Sequence, residues 1–495
     1  MSAIASSSRR WSHGISVNAV SAEVLGVAAL TAIAFALRLS QLHESLAGDE
    51  VFTYQDVVGH SFVSVLTTVH AGGENSPPLF FLMAWLSAKL GDPSVWIRVP
   101  SLILGTATVP VTYAVGRQSI GARAGLIAAA IMALAPFAVF YGVEARPYAA
   151  MTFFVALSTL ALLHAVRPGT SRWWWALYTL AAAAAAYSHY TAIFLLLVQA
   201  VYSLWACRGA IKTTLIANLA IGVLYLPWLP NVRGKALAVI GALYPLGFHR
   251  VLADLLRPIP GHPGVSLHQI PTVLGLIAFA VCVAAGGVAL VIKALRADQT
   301  GWFGQAGNRA GLIVLLALAT PVGLLLYSLI FTDLWLPRGL SASMPAAALL
   351  IGGLLAALPA RLSALTVAVV AVVLTTGTLR SFEPAYARGP YRAIATRLDR
   401  IASSHSPVLV VSLQGALAVP EQTHRPHDFV ASLRAMWATT PRGGHAYLVL
   451  DDAIDHATKL VARGALHRPG FRLQARRHYA GASPTELLTF VRTGR

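Results

Sequence analysis

The chain has 495 residues, 56% of them hydrophobic and 11% charged, with a formal net charge of +18. Soluble domains carry about 25% charged residues, so this composition excludes an ordinary soluble protein and indicates a polytopic membrane protein. The basic residues are scattered between apolar runs, which excludes a nucleic-acid-binding face; they read as topology signals and contacts to anionic lipid.

The first apolar run, near residues 21–40, has no convincing cleavage site and reads as a retained span. Arg9 and Arg10 precede it and place the N-terminus in the cytoplasm. A long outer loop follows over 41–97, opening on Gly48-Asp49-Glu50. Within it Leu79 to Leu90 is apolar but short of the roughly 20 residues that a spanning helix needs, so an interfacial helix is expected there, begun by Pro77 and Pro78. Further spans are expected at about 98–116, 124–142, 149–166, 173–188, 190–206, 213–230, 271–292, 310–331, 339–357 and 362–380. That makes eleven, a mostly α transmembrane bundle over residues 1–380. The inside turns of this register hold Arg117 and Arg123, Arg167 and Arg172, Arg208 and Lys212, Lys293, Arg296 and Arg309, and Arg361. Every one is basic, as an inward-facing turn should be.

From residue 381 charge density rises and apolar runs shorten, which marks a small extracytoplasmic α/β domain over 381–495. Helices are expected at Tyr391 to Ser403 and Ile454 to Leu466. Strands are expected at Pro407 to Leu413, His445 to Leu450, Phe471 to Tyr479 and Leu487 to Arg492. The excess of Arg and Lys in this domain suits either a solubilising cap or contact with acceptor or lipid phosphate. Cys207 and Cys282 both lie inside apolar runs, so no disulfide framework is implied.

The same register gathers five polar clusters at the outer face: Asp49-Glu50, Glu74 to Pro78, Glu144-Ala145-Arg146-Pro147-Tyr148, Tyr187-Ser188-His189-Tyr190, and Asp333 with Arg338. Acidic residues are scarce before the C-terminal domain, and ionisable groups at a membrane face are costly, so this convergence marks a site.

In order along the chain stand Asp49-Glu50, Ser76-Pro77-Pro78-Leu79-Phe80-Phe81, Arg98-Val99-Pro100-Ser101, Gly116-Arg117, Glu144-Ala145-Arg146-Pro147-Tyr148-Ala149 and Ser188-His189-Tyr190. With these elements the chain resembles the GT-C superfamily of membrane glycosyltransferases, in the branch similar to bacterial protein mannosyltransferases and the lipid A aminoarabinose transferase. The resemblance covers about residues 21–230 well and the later spans loosely. It departs at Arg338-Gly339, where relatives often carry Arg-Tyr, and at Glu74-Asn75-Ser76, where many carry His before the two prolines.

The resemblance implies an inverting transfer of a sugar, mannose or arabinose, from a polyprenyl-phosphate donor to an acceptor hydroxyl. The acceptor would be a cell-envelope glycan, a glycolipid or a protein, at the outer face of the plasma membrane. A hydroxyl nucleophile needs one carboxylate as general base, and that role is expected of Asp49. The leaving phosphate is already a stable anion and needs no partner acid, unlike the leaving group of a glycosidase. It does need positive charge or hydrogen-bond donors, expected from Arg146, His189 and Arg338.

Each of these residues has a plainer reading. Glu50 points away from its neighbour and positions Asp49 or a cation. Glu144 and Arg146 join the substrate site or simply pair at a span end. Tyr148 binds substrate or belongs to an aromatic belt, and His189 contacts phosphate or is a structural histidine. No metal is assigned; Glu74 with His189 is the alternative, as ligands of a divalent ion. A lipid-linked-sugar transporter is the competing function, but the polar groups sit at one interface and no internal repeat is found.

Overall fold

Apolar segments that end at proline, glycine or charge fold as helices, and these make up most of the protein. The computed structural model describes residues 17–70, 76–232, 246–296, 305–451 and 456–493. Among the described residues, eight helical segments are long and apolar enough to cross a membrane. They fall at the first, second, fourth, seventh and last four of the eleven expected spans. At the other three stand shorter helices, Ala122–Leu134, Trp173–Ser188 and Ala192–Ala206. The protein is a multi-pass membrane protein. On Val273–Arg296 the side chains of Leu274, Val281 and Val288 point outward while Phe279, Cys282 and Gly286 are buried, the one-sided packing of a helix at a bundle's lipid face.

Pro136 explains one of the shorter helices. It lacks an N–H and pushes Ala135 into extended backbone, so the helix stops at Leu134 and a six-residue helix, Pro136–Tyr141, starts in a new direction. The break frees carbonyls that cannot stay unpaired in a low-dielectric interior. Met132, whose partner would have been the missing Pro136 N–H, accepts from Arg38 Nη2 at 3.1 Å. Leu134 accepts from Thr378 Oγ1 at 2.7 Å. The redirected chain then passes Gly142 and reaches Glu144 to Tyr148. A Cβ on Gly105 would lie 2.7 Å from the Gly142 Cα, so the Val99–Ser119 helix presses directly on this turn.

The loop after the first helix folds into Asp49–Val57, Phe62–His70 and Leu79–Ala88, the last being the expected interfacial helix. Against it packs the C-terminal sheet. Its strands are β1 (Pro407–Val411), β2 (Asp428–Phe429), β3 (His445–Leu450), β4 (Phe471–Tyr479) and β5 (Thr485–Arg492), in the order β2-β1-β3-β5-β4. The first three are parallel and β5 runs antiparallel between β3 and β4. Alternate residues feed two cores. Leu409, Leu448, Leu450, Leu488 and Phe490 pack on Met436 and Trp437. Val408, Tyr447, Val449 and Leu487 share a core with Ile394 and Leu398 of Tyr391–Ile401 and with Leu46, Val51, Phe80 and Phe81 of the first loop. Burial on both faces explains why β1 and β3 read as nearly unbroken apolar runs. Polar contacts add to the docking: Gln422 brackets both the N–H and the carbonyl of Leu46, and Arg392 reaches Ser94 Oγ at 2.8 Å.

Candidate active site

Gly48 adopts φ 56°, a conformation disfavoured for other residues, and turns the chain into the Asp49–Val57 helix. Asp49 and Glu50 therefore occupy its first turn, where carboxylates are favoured by the helix dipole. Adjacent positions on a helix diverge, and the two acids go to different places.

Glu50 goes inward and is 0% exposed, as is Arg98 facing it. The Arg98 Nε and Nη2 groups donate to the two carboxylate oxygens at 2.8 and 2.6 Å. Ala145 N–H donates to Oε1 at 2.8 Å, and Arg388 pairs with Oε2. The remaining Arg98 donors go to the carbonyls of Leu42, Glu44 and Ser45. Burial pushes the Glu50 carboxyl up, but the Arg388 and Arg98 guanidinia outweigh it and hold the group at about 2. Glu50 is thus a permanently charged tie between four chain segments.

Asp49 goes outward. Its carboxylate is ion-paired to Arg338, which enters from the Pro337–Ser343 segment, and it remains partly exposed. Arg146 lies on the other side: its Nη1 donates to the Asp49 carbonyl at 3.4 Å and to Thr53 Oγ1 at 3.3 Å. Burial raises the Asp49 pKa, but the Arg146 and Arg338 charges outweigh it and leave the carboxyl below its usual range. At Glu144 the balance reverses. Burial prevails over the Arg388 charge and pushes this carboxyl up to about 7, and its Oε2 is buried without a hydrogen-bond partner.

Tyr148 begins the next long helix and is buried, its ring 4.9 Å from that of Tyr141 and 5.4 Å from that of His189. His189 sits between two helices. Thr191 N–H donates to its Nδ1 at 3.2 Å, which leaves the proton of the neutral ring on Nε2. Burial, with Arg338 and Arg146 nearby, holds the imidazole pKa down at about 3, so the ring is uncharged at neutral pH.

Arg338 also lines a cavity of about 460 Å³ together with Tyr141, Arg250, Asp254, Arg257 and Pro337. Asp254 pairs with Arg257 at 3.4 Å and Arg250 at 3.6 Å and accepts from Trp335 Nε1 at 3.1 Å. Two guanidinia on one carboxylate leave the wall net positive. The cavity thus presents cationic donors on one side and, through Arg338, touches the Asp49 carboxylate.

The structure brings Asp49, Arg146 and Arg338 into direct contact, with Tyr148 and His189 beside them, and sets Glu50 and Glu144 behind. Glu74, the alternative metal ligand with His189, lies outside the described residues. Among the described residues no group of three His, Cys, Asp or Glu is placed to hold a metal ion. Sequence reasoning missed the roles of Arg98, Arg250, Arg257 and Arg388. Arg98 stood inside a quoted motif, but an arginine 48 positions from its carboxylate partner carries no periodic signal.

Residues 75–232 match the family model described as dolichyl-phosphate-mannose-protein mannosyltransferase. Among solved structures, the chain is similar to ArnT from Cupriavidus metallidurans in the apo state, with TM-score 0.59 and 14% identity over 97% of this chain and 100% of that one. The same protein bound to undecaprenyl phosphate matches with TM-score 0.54 and 15% identity, over 96% and 100%. The archaeal oligosaccharyltransferase AglB from Archaeoglobus fulgidus, in complex with an inhibitory peptide and a dolichol-phosphate, matches with TM-score 0.52 and 12% identity, over 91% and 72%. No curated protein matches by sequence. The fold is that of the GT-C glycosyltransferases, a helical bundle with a small C-terminal sheet domain. The segment that matches the mannosyltransferase family model includes the loops that carry Glu144, Arg146 and His189.

Proposed function

We propose that the protein is an inverting transferase that moves a sugar, mannose or arabinose, from a polyprenyl-phosphate donor to an acceptor hydroxyl of an envelope glycan, glycolipid or protein. The observation that carries this reading is the outward carboxylate of Asp49, held between Arg146 and Arg338, with Arg338 lining a cationic cavity. Asp49 takes the proton of the acceptor hydroxyl as its oxygen bonds to the anomeric carbon. The bond from that carbon to the phosphate oxygen breaks, and the electron pair leaves with the phosphate monoester. Arg338, with Arg250 and Arg257 across the cavity, stabilises the charge that grows there.

The resting ion pair suits this sequence. With Arg338 turned toward the donor phosphate, Asp49 loses a neighbour that lowers its basicity, so donor binding readies the base. Neutral His189 and Tyr148 offer hydrogen bonds to sugar hydroxyls without adding charge. The basic turns put the N-terminus in the cytoplasm, and with it the site and the sheet domain outside, where lipid-linked sugars meet envelope acceptors.

The test is incubation of the purified protein with a panel of polyprenyl-phosphate sugars in the presence of envelope acceptors. Consumption of one donor with release of the polyprenyl phosphate supports the reading. Movement of the lipid-linked sugar across a vesicle membrane without consumption supports a transporter and sinks it.

A further inference from the structure

Arg388 belongs to the segment that joins the last long helix, Ala360–Ser381, to the C-terminal sheet domain, yet its guanidinium lies against Glu50. It is 9% exposed, pairs with Glu50 Oε2 and stands 4.5 Å from the ring centroid of Phe140. The sheet domain holds its neighbours. Ala387 carbonyl accepts from Ala482 N–H, between β4 and β5, at 2.9 Å. Tyr391 donates its hydroxyl to Asp451, at the end of β3, at 2.7 Å. The position of Arg388 therefore follows the seating of the sheet domain.

What Arg388 touches has a direct bearing on the proposed base. Four donors fill the Glu50 carboxylate: Arg98 Nε and Ala145 N–H at Oε1, Arg98 Nη2 and Arg388 at Oε2. Asp49 is the residue next to Glu50, and Arg146 is the residue next to Ala145. Each member of the Asp49–Arg146 contact is thus one residue from this knot. The knot therefore anchors both the first turn of the Asp49–Val57 helix and the backbone beside Arg146.

We propose that Arg388 is a positioning residue, supplied by the segment leading into the sheet domain, that aligns the outward carboxylate of Asp49 by fixing Glu50. Through this one side chain the segment leading into the sheet domain takes part in turnover. This inference rests on the transferase reading for its kinetic arm and on geometry alone for its second arm.

The experiment compares full-length wild type, Arg388→Met, Arg388→Lys, Gln422→Ala and Asp49→Asn. Gln422→Ala removes a different contact between the sheet domain and the first loop. A misplacement of about 1 Å at a reacting group can cost on the order of 100-fold in rate, so Arg388→Met should lower kcat at least about tenfold with donor KM within about twofold. Arg388→Lys should recover part of kcat, and Gln422→Ala should stay within about twofold of wild type. Hydrogen exchange over 49–57 and 144–147 should quicken in Arg388→Met while the remaining helices exchange as in wild type. Wild-type kcat in Arg388→Met, an equal loss in Gln422→Ala, or unchanged exchange over 49–57 overturns the proposal. If wild type consumes no donor in an Asp49-dependent way, the transferase reading has failed instead, and the exchange data decide the positioning claim by themselves.

Discussion

Replacing Arg98 by Met removes a guanidinium that makes five hydrogen bonds and keeps an unbranched apolar stem. Arg98 makes two hydrogen bonds to Glu50 and three to the carbonyls of Leu42, Glu44 and Ser45, all of them buried or nearly so. Removing one partner of a buried ion pair costs about 3–5 kcal/mol, because the other charge stays buried. Arg388 still covers Oε2, so the low end, about 3 kcal/mol, applies to the pair. Each carbonyl left without its donor adds about 1 kcal/mol. The sum is about 6 kcal/mol, comparable to the whole stability of many proteins. Arg98→Lys keeps the charge, but its compact ammonium cannot reach both carboxylate oxygens and the three carbonyls, so roughly half the loss should remain. Denaturant melts of the detergent-solubilised protein read both losses directly. A cost below about 1 kcal/mol for Arg98→Met, the range of an ordinary surface change, would refute the reasoning that this knot organises the loop.

Two further outcomes follow from the same geometry. Glu144 has a folded pKa of about 7 against an unfolded value of about 4.3, so the folded state holds the extra proton between those values. Its contribution to stability is complete below about pH 4.3 and declines as pH rises toward 7, where Glu144→Gln should melt later than wild type by about 1–3 kcal/mol and lose that advantage near pH 4; an advantage independent of pH contradicts the assignment. Gly105→Ala puts a methyl 2.7 Å from the Gly142 Cα, a clash with backbone that cannot yield by changing rotamer. It should cost roughly 1–3 kcal/mol in a thermal melt, and a neutral result would mean the Val99–Ser119 helix does not press on that turn.

The helices of the bundle were legible because runs of about twenty apolar residues have few other fates. Their ends were less so. The third expected span breaks because Pro136 removes one N–H, and the break is tolerated only because Arg38 and Thr378, remote in sequence, take up the freed carbonyls. In the C-terminal domain β1, β3 and β5 announced themselves by dense Val and Leu. The two-residue β2 and the short helices Leu413–Ala418 and Leu433–Thr439 are held by tertiary contacts and gave no local sign. At the site, Asp49, Arg146 and Arg338 were visible as charges standing in apolar surroundings. Which acid stayed exposed was not, since both begin one helix and only the buried donors of Arg98, Ala145 and Arg388 decide it.

The proposed chemistry turns on Asp49, and the direct measurement is single-turnover consumption of a polyprenyl-phosphate sugar by wild type and Asp49→Asn at matched folded fraction. Asn keeps the shape and removes the base, so the rate should fall by about 100-fold or more while donor binding persists, because the cationic wall at Arg250 and Arg257 is untouched. An Asp49→Asn protein that turns over donor within about twofold of wild type would contradict the account, since a group that takes the acceptor proton cannot be dispensable.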